Sequence, residues 1–468
     1  MKDFTEGSIV KSLFGLAIPI VLTNLLHSMY QLIDTYWVGR LGETAVAAVS
    51  LSFPIIFLMI TLGGGFSIAG TILIAHSKGS KNQEQIDHIA AQTVILMLIV
   101  SILVSILGYF ISEPLLKLMG ADAAVLPQAV SYLKISFLGM VFLFSFFVFQ
   151  SIMRGVGETR LPLYIVFTTV LMNAILDPIF IMGWGPIPAF GVTGAAITTV
   201  CTQAVATIIG TIILLKGKNG INLVLKNFKF DRGLVKKMFF LGLPASVEQA
   251  TKALGFMIMS FLVATFGTTI VAAYGIGIRV LSFVIIPAFG ISMATSTLVG
   301  QNMGAGKKDR AEQIAHKSAS ITFGLLALVG MIFYIFAAEI TAAFIPGEEA
   351  VIAAATQFVK FLSFSFAFMG VQLVLSGVFS GSGNTRISMI FSIVALWIYE
   401  FPLSYILSKH TSLGEKGIWI AAFVASILSM ITSVIYFRMG RWKETQVLSA
   451  RTKMEDEVIK ETMIEEGA

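Results

Sequence analysis

The chain has 468 residues, 56% of them hydrophobic and only 12% charged. A soluble domain carries about 25% charged residues, so this composition excludes a soluble enzyme and describes a polytopic membrane protein. The formal charge of +6 follows the loops, as membrane topology requires, and gives no reason to expect nucleic acid as a partner.

The first apolar run, 12–37, follows a start that carries Lys2 and Lys11. It is too long for a signal-peptide core, and no small-residue cleavage site follows, so it is read as the first span. Eleven more apolar segments are expected near 45–75, 90–112, 129–152, 161–183, 190–215, 236–266, 270–300, 315–340, 352–380, 386–408 and 415–437. Each is long enough to cross about 30 Å of hydrocarbon as a helix. A β-barrel is disfavoured, because the runs do not alternate apolar with polar. The single cysteine, Cys201, allows no internal disulfide.

Residues 1–215 are expected to form an N-terminal lobe of six helices, 216–235 a basic linker and 236–437 a C-terminal lobe of six. The tail, 438–468, is highly charged and is expected to be solvated, either partly helical or without fixed structure. Lys and Arg gather on the side of the N-terminus, for example Lys78, Lys81, Arg154, Arg160, Lys236, Lys307 and Arg386. Few, such as Arg40, Lys117, Lys409 and Lys416, fall on the other side. Both termini are therefore expected in the cytoplasm, in the cell membrane. Lys134 and Lys360 hold corresponding places near the outer edge, where such side chains snorkel.

The two halves repeat. AIP (17–19) matches GLP (242–244), and TAVAAVS (44–50) matches TIVAAYG (269–275), both at a shift of 225. RGVGETR (154–160) matches SGSGNTR (380–386) at 226, and GVTGAA (191–196) matches GEKGIW (414–419) at 223. Six helices followed by six in the same orientation make a parallel repeat, and a ligand path between two such lobes suits alternating access.

Asp34 lies inside the first span, where a carboxylate costs at least about 2.5–3.5 kcal/mol on insertion scales. Asn24, His27, Gln31 and Asp34 share one helical stripe, which must look at protein or water. Asp177 is a second intramembrane acid; Asn173 and Thr169 share its face, and Pro178 follows it. Proline removes a backbone donor and tends to bend a helix, leaving carbonyls available. These hard oxygens suit a proton or sodium, not zinc. The plainer reading is that each acid hydrogen-bonds a neighbouring helix. His27 either tunes Asp34 or packs. Thr199 and Gln203 add polar groups to the sixth span. In the second lobe, Glu248 and Lys252 stand one turn apart, a spacing for an ion pair. With Arg279 they are candidates for structural pairing first and for substrate contact second. Glu400, just before Pro402, has an open role. The glycine motifs lack a preceding strand and no Walker sequence occurs, so nucleotide chemistry is not expected.

The segments AIP and Q-x-x-DTYWVGRLG in the first helix, AAVSLSFP, RGVGETR, N-x-x-x-DP and GVTGAA together resemble the MATE family (multidrug and toxic compound extrusion) over about 10–440. The resemblance implies an all-α, V-shaped pair of six-helix lobes that exports organic cations in exchange for protons or sodium. It implies no cofactor beyond the coupling ion, and as partners only small organic cations and membrane lipids, with the protein a monomer and not an enzyme. Asp34, Asn173 and Asp177 match the N-lobe cation site of the DinF-like and archaeal branch. Pro19 matches its bending proline and Tyr132 a tyrosine of its pocket. The NorM-like acids of the second lobe are missing: Lys252 stands at the helix-seven position, and 352–380 holds no acid. A rival reading is a flippase for a lipid-linked or other anionic precursor, which would want a basic central cavity.

Overall fold

Hydrocarbon offers the backbone no water to bond, so a spanning segment must satisfy its own amides, and the helix does so. In the computed structural model, which describes residues 3–217, 220–445 and 447, twelve helices are long and apolar enough to cross a membrane. The first lobe holds α1 (Ile9–Gly39), α2 (Glu43–Gly79), α3 (Gln83–Leu118), α4 (Leu126–Val156), α5 (Arg160–Met182) and α6 (Val192–Leu215). The second holds α7 (Arg232–Ala264), α8 (Thr268–Gly304), α9 (Lys308–Ile335), a short α10 (Ala337–Phe344), α11 (Glu349–Gly381), α12 (Thr385–Ile393), α13 (Phe401–Lys409) and α14 (Glu415–Arg438). No strand forms among the described residues.

Several helices run past their apolar segments. The third begins at Gln83 because Asn82 caps it, its Oδ1 accepting from Gln85 N at 3.0 Å. Ser8 and Asp231 cap α1 and α7 in the same way, satisfying amides that a helix start leaves free. The eleventh span is interrupted. Between α12 and α13 the stretch Val394–Glu400 winds as a π-helix, and Phe401 N donates to Leu396 O five residues back. Pro402 follows directly and has no N–H to continue the ordinary ladder. Its counterpart Pro178 lies inside an uninterrupted α5, with no π-helical turn beside it.

The repeat is written in the backbone as well. Gly42 and Gly267 start α2 and α8 with φ of 100° and 94°, and Gly191 and Gly414 start α6 and α14 with φ of 57° in both. Side chains other than glycine's rarely adopt such angles. In the first lobe α4 packs against α2, α3 and α6; α11 takes the same place against α8, α9 and α14. Lys134 Nζ sits 5.1 Å from the Tyr109 ring centre and Lys360 Nζ 5.4 Å from that of Tyr334. Both lysines therefore rest on aromatic faces.

The lobes meet through α1, α2, α7 and α8. Ser246 Oγ donates to Leu62 O at 2.9 Å, midway along α7 and α2. Every other hydrogen bond between the lobes among the described residues lies closer to the termini. His76 Nε2 bonds Gly381 O at 2.9 Å, and Gln301 Nε2 donates to Gly155 O at 2.9 Å. These are corresponding residues, shifted by 225 for the side chains and 226 for the carbonyls, so each lobe clasps the other in the same way. Beside them α2 and α8 cross at glycines. A Cβ on Gly79 would overlap the Gln301 carbonyl, and one on Gly304 the His76 carbonyl. The N-terminal segment seals this end: Asn302 Nδ2 donates to Phe4 O at 3.3 Å, and Arg310 donates to Glu6 O and Gly7 O at 2.9 Å.

The linker is docked on the first lobe, and one expectation, that of a solvated tail, is corrected at its start. Gln92 of α3 donates to Asn227 O and Lys229 O and accepts from Asp231 N, while His88 meets Asp231 at 3.1 Å. The start of the tail is docked too. Trp442 is fully buried, stacks on Phe437 and donates to its carbonyl at 3.1 Å, and Lys443 pairs with Glu312 at 2.7 Å. Two apolar anchors, Trp442 and Val447, outweigh the charge around them; residues 448–468 lie outside the described residues.

Two outcomes follow from these contacts. Gly304→Val should part the ends of α2 and α8, because its side chain meets backbone that cannot swing away. Spin labels at Ser80 and Lys308 should then report a longer inter-lobe distance; an unchanged distance contradicts the crossing. The Leu234 amide, and after it His88, hold the Asp231 carboxyl below its usual range, so its cap is present at neutral pH and is lost as pH falls through that lowered value, below about pH 4. Asp231→Ala should cost about 1 kcal/mol at neutral pH, and thermal unfolding of both proteins at pH 3 should show the difference shrinking.

Candidate cation site

Asn173 and Asp177 stand one turn apart on α5 and point the same way. Both are fully buried. The Asn173 amide nitrogen donates to Asp177 Oδ1 at 3.0 Å and to Asp34 Oδ1 of α1 at 3.3 Å. An amide carries two N–H groups, so one nitrogen serves both carboxyls. Thr199 Oγ1 of α6 reaches Asp34 Oδ2 at 3.4 Å. Three helices thus converge on two acids.

Two oxygens in this cluster, Asn173 Oδ1 and Asp177 Oδ2, are buried with no hydrogen-bond partner. Buried polar atoms without partners are costly. Two carboxylates held on one amide also repel each other unless a proton or a cation offsets their charge. The donor set is all oxygen, which fits a proton or an alkali cation and fits zinc poorly.

The other named residues are placed as follows. Tyr132 packs against the small apolar core of Val38, Ala45, Ile181, Val192 and Ala195 and lies within electrostatic range of both acids. Thr169 is buried and bonds Val166 O of its own helix at 3.0 Å. Pro19 is buried further down α1, and its carbonyl accepts from Thr23 at 2.8 Å. Asn24, His27 and Gln203 are half-buried and Gln31 is exposed. None of these four makes a side-chain hydrogen bond to another described residue.

Three residues near the cluster were not singled out from the sequence. Tyr30 lies one turn before Asp34, and its hydroxyl meets Thr202 Oγ1 of α6 at 2.8 Å. The four-residue spacing from Asp34 was the available signal. Thr198, one turn before Thr202, is also buried.

The second lobe has no such cluster. The positions matching Asp34, Thr199 and Thr202 are Met259, Ala422 and Ala425. Lys252 Nζ pairs with Glu248 Oε1 at 2.8 Å, and Ser376 donates to the same oxygen at 3.1 Å. Arg279 is exposed, without an ion-pair partner among the described residues. Glu400 is half-buried at the end of the π-helical turn, within electrostatic range of Tyr274.

Residues 19–179 and 244–406 each match the family model described as MatE, one match per lobe. The chain is 28% identical over 447 residues to "Probable multidrug resistance protein YoeA" of Bacillus subtilis, covering 95% of this chain and 96% of that protein. It is 27% identical over 450 residues to "Probable multidrug resistance protein YpnP" of the same organism, covering 96% and 99%. A solved structure described as the outward-facing conformation of a multidrug resistance MATE family transporter of the MOP superfamily superimposes with a TM-score of 0.88 at 26% identity, covering 94% of this chain and 98% of that one.

Asn173→Ala should strand two carboxyls and cost about 1–3 kcal/mol. Asp177→Asn in the same chain should return part of that loss, because the two residues share a hydrogen bond. A double-mutant cycle followed by thermal unfolding checks this, and strictly additive losses contradict the arrangement.

Proposed function

The chain belongs to the MatE family, and from that premise we propose that it is a secondary multidrug efflux transporter of the cell membrane. It exports lipophilic organic compounds, mostly cations, in exchange for protons or sodium by alternating access. The observation that carries the reading is the set Asp34, Asn173 and Asp177, two acids and an amide with oxygens left over inside a membrane span.

The cycle uses one electrostatic site twice. Asp34, ionised, draws a lipophilic cation into the space between the lobes. A proton or sodium arriving from outside neutralises the N-lobe acids, and α1 bends at Pro19. The drug leaves, the clasp between the lobes opens, and the ion departs inside. Two ligands that compete for one charge weaken each other's binding by the same factor. The protein acts as a monomer, surrounded by lipid, with both termini in the cytoplasm. The excess of Lys and Arg on the terminal side supports that orientation.

Coupling is assigned to the first lobe. What supports this is the apolar replacement at Met259, Ala422 and Ala425 and the engagement of Glu248 by Lys252 and Ser376.

Proteoliposomes with pH and sodium gradients imposed separately test the proposal. Asp34→Asn should abolish gradient-driven ethidium efflux; full coupled efflux by this variant sinks the mechanism. Replacing the pair together, Glu248→Gln with Lys252→Met, should leave the number of ions moved per drug unchanged. Loss of one coupled ion would show that the second lobe carries charge in the cycle.

A further inference from the structure

Arg154 is one of the basic residues that the sequence groups on the terminal side, and the structure shows where its charge sits. It stands in the last turn of α4, but a helical side chain leans back toward the helix N-terminus, here into the protein. Its guanidinium lies between the lobes. One nitrogen is 3.5 Å from Ser67 Oγ of α2, and another is 3.6 Å from the Met293 sulfur of α8. A thioether is a weak acceptor, and 3.5 Å is long for a hydrogen bond. Nε is buried with no partner at all. One turn earlier on the same face of α4, Gln150 Nε2 is also buried without a partner. Both side chains remain partly accessible.

Among the described residues no carboxylate answers this charge. Arg154 has no ion pair among the described residues. Glu158 accepts from Arg160 N at 2.8 Å, and Glu248 is held by Lys252 and Ser376. Taking a guanidinium out of water costs several kcal/mol unless something pairs with it. The repeat makes the charge more pointed. The positions matching Gln150 and Arg154 are Ser376 and Ser380, both neutral and both bonded, to Glu248 and Ser388. The first lobe thus keeps an amide and a guanidinium one turn apart with donors to spare, where the second keeps two satisfied hydroxyls.

We propose that Arg154 and Gln150 form an anion-accepting subsite between the lobes, which takes the carboxylate of a transported organic acid or zwitterion. The guanidinium offers a planar fork that matches two carboxylate oxygens, and the Gln150 amide adds a third donor. The subsite is separate from the acid cluster. Thr159 Oγ1 bonds Leu16 O of α1 at 3.4 Å, and Asp34 stands 18 residues further along that helix, about 27 Å at 1.5 Å per residue; Arg154 and Gln150 lie about 8 and 14 Å back from Thr159 along α4, which leaves more than about 10 Å between them and Asp34. Acidic cargo is therefore held toward the terminal end of the seam, next to the clasp made by His76 and Gln301. The proposal rests on the transport reading and gives the carboxylate of such a compound a place within it.

A pair of rhodamine dyes tests it, one with a free carboxylate and the other its methyl ester, bound to purified protein and followed by fluorescence anisotropy. Arg154→Met should lower the affinity ratio of acid over ester by about tenfold, the scale of one charge-assisted contact. Gln150→Leu should lower it about threefold, and it keeps the test alive if the first variant folds poorly. Ratios within twofold of the unaltered protein in both variants overturn the subsite. Gradient-driven export of the ester in proteoliposomes is read separately: its absence overturns the transport reading, whereas the affinity ratio speaks to the subsite alone.

Discussion

Inside a bilayer every polar atom has to find its partner within the protein or in what the protein carries, and this constraint orders the whole molecule. Most hydroxyls meet it locally by donating to a carbonyl one turn back. Ser112 bonds Gly108 O, Thr198 bonds Gly194 O and Ser433 bonds Ser429 O. Such groups disappear into their own helix and leave its outer face apolar. Asp34 and Asp177 cannot do this, since a carboxylate only accepts. They are gathered instead around the one amide that faces both, and α1, α5 and α6 are drawn together by that need. The atoms still unpaired, Asp177 Oδ2 and Asn173 Oδ1, together with Gln150 Nε2 and Arg154 Nε, mark where the proposed cargo meets the protein.

The repeat supplies the frame on which this asymmetry is set. Corresponding glycines start corresponding helices, α4 and α11 hold equivalent central places, and the His76 and Gln301 bonds mirror each other across the seam. A symmetric clasp keeps the lobes together on the terminal side without tying their outer halves. The chemistry, by contrast, is one-sided. The first lobe carries the acids, the threonines of α6 and a guanidinium with no ion pair among the described residues. The second carries a closed ion pair and apolar substitutes. A duplicated scaffold with unequal contents fits the proposed division, in which one lobe senses the ion and both shape the passage.

Much of this was readable before any coordinates. Twelve long apolar runs leave little choice but helices, and motif shifts near 225 declare the repeat. Asp34, Asn173 and Asp177 stood out because acids in apolar helices are expensive. What stayed hidden has physical reasons. Tyr30 and Thr202 look like ordinary amphipathic residues until two helices bring them within 2.8 Å. Arg154 counts in sequence as one more basic residue on the terminal side, and only the packing of α2, α4 and α8 sets its head between Ser67 and Met293. The docking of the tail depends on Trp442 and Val447, two apolar side chains in a charged stretch whose average conceals them. Pro178 and Pro402 read alike in sequence, yet only the second lies next to a π-helical turn, because neighbouring packing decides how a missing amide is absorbed.

The central claim is that ion and organic cation compete for the charge of the N-lobe acids. The most direct measurement is the dissociation constant of tetraphenylphosphonium for purified protein, taken across pH at fixed sodium and across sodium at fixed pH. The account predicts that affinity falls as the coupling ion rises, whether that ion is the proton or sodium. It also predicts that the dependence vanishes when Asp34 and Asp177 are both replaced by Asn. An affinity indifferent to both ions, or a dependence that survives the double replacement, would contradict it.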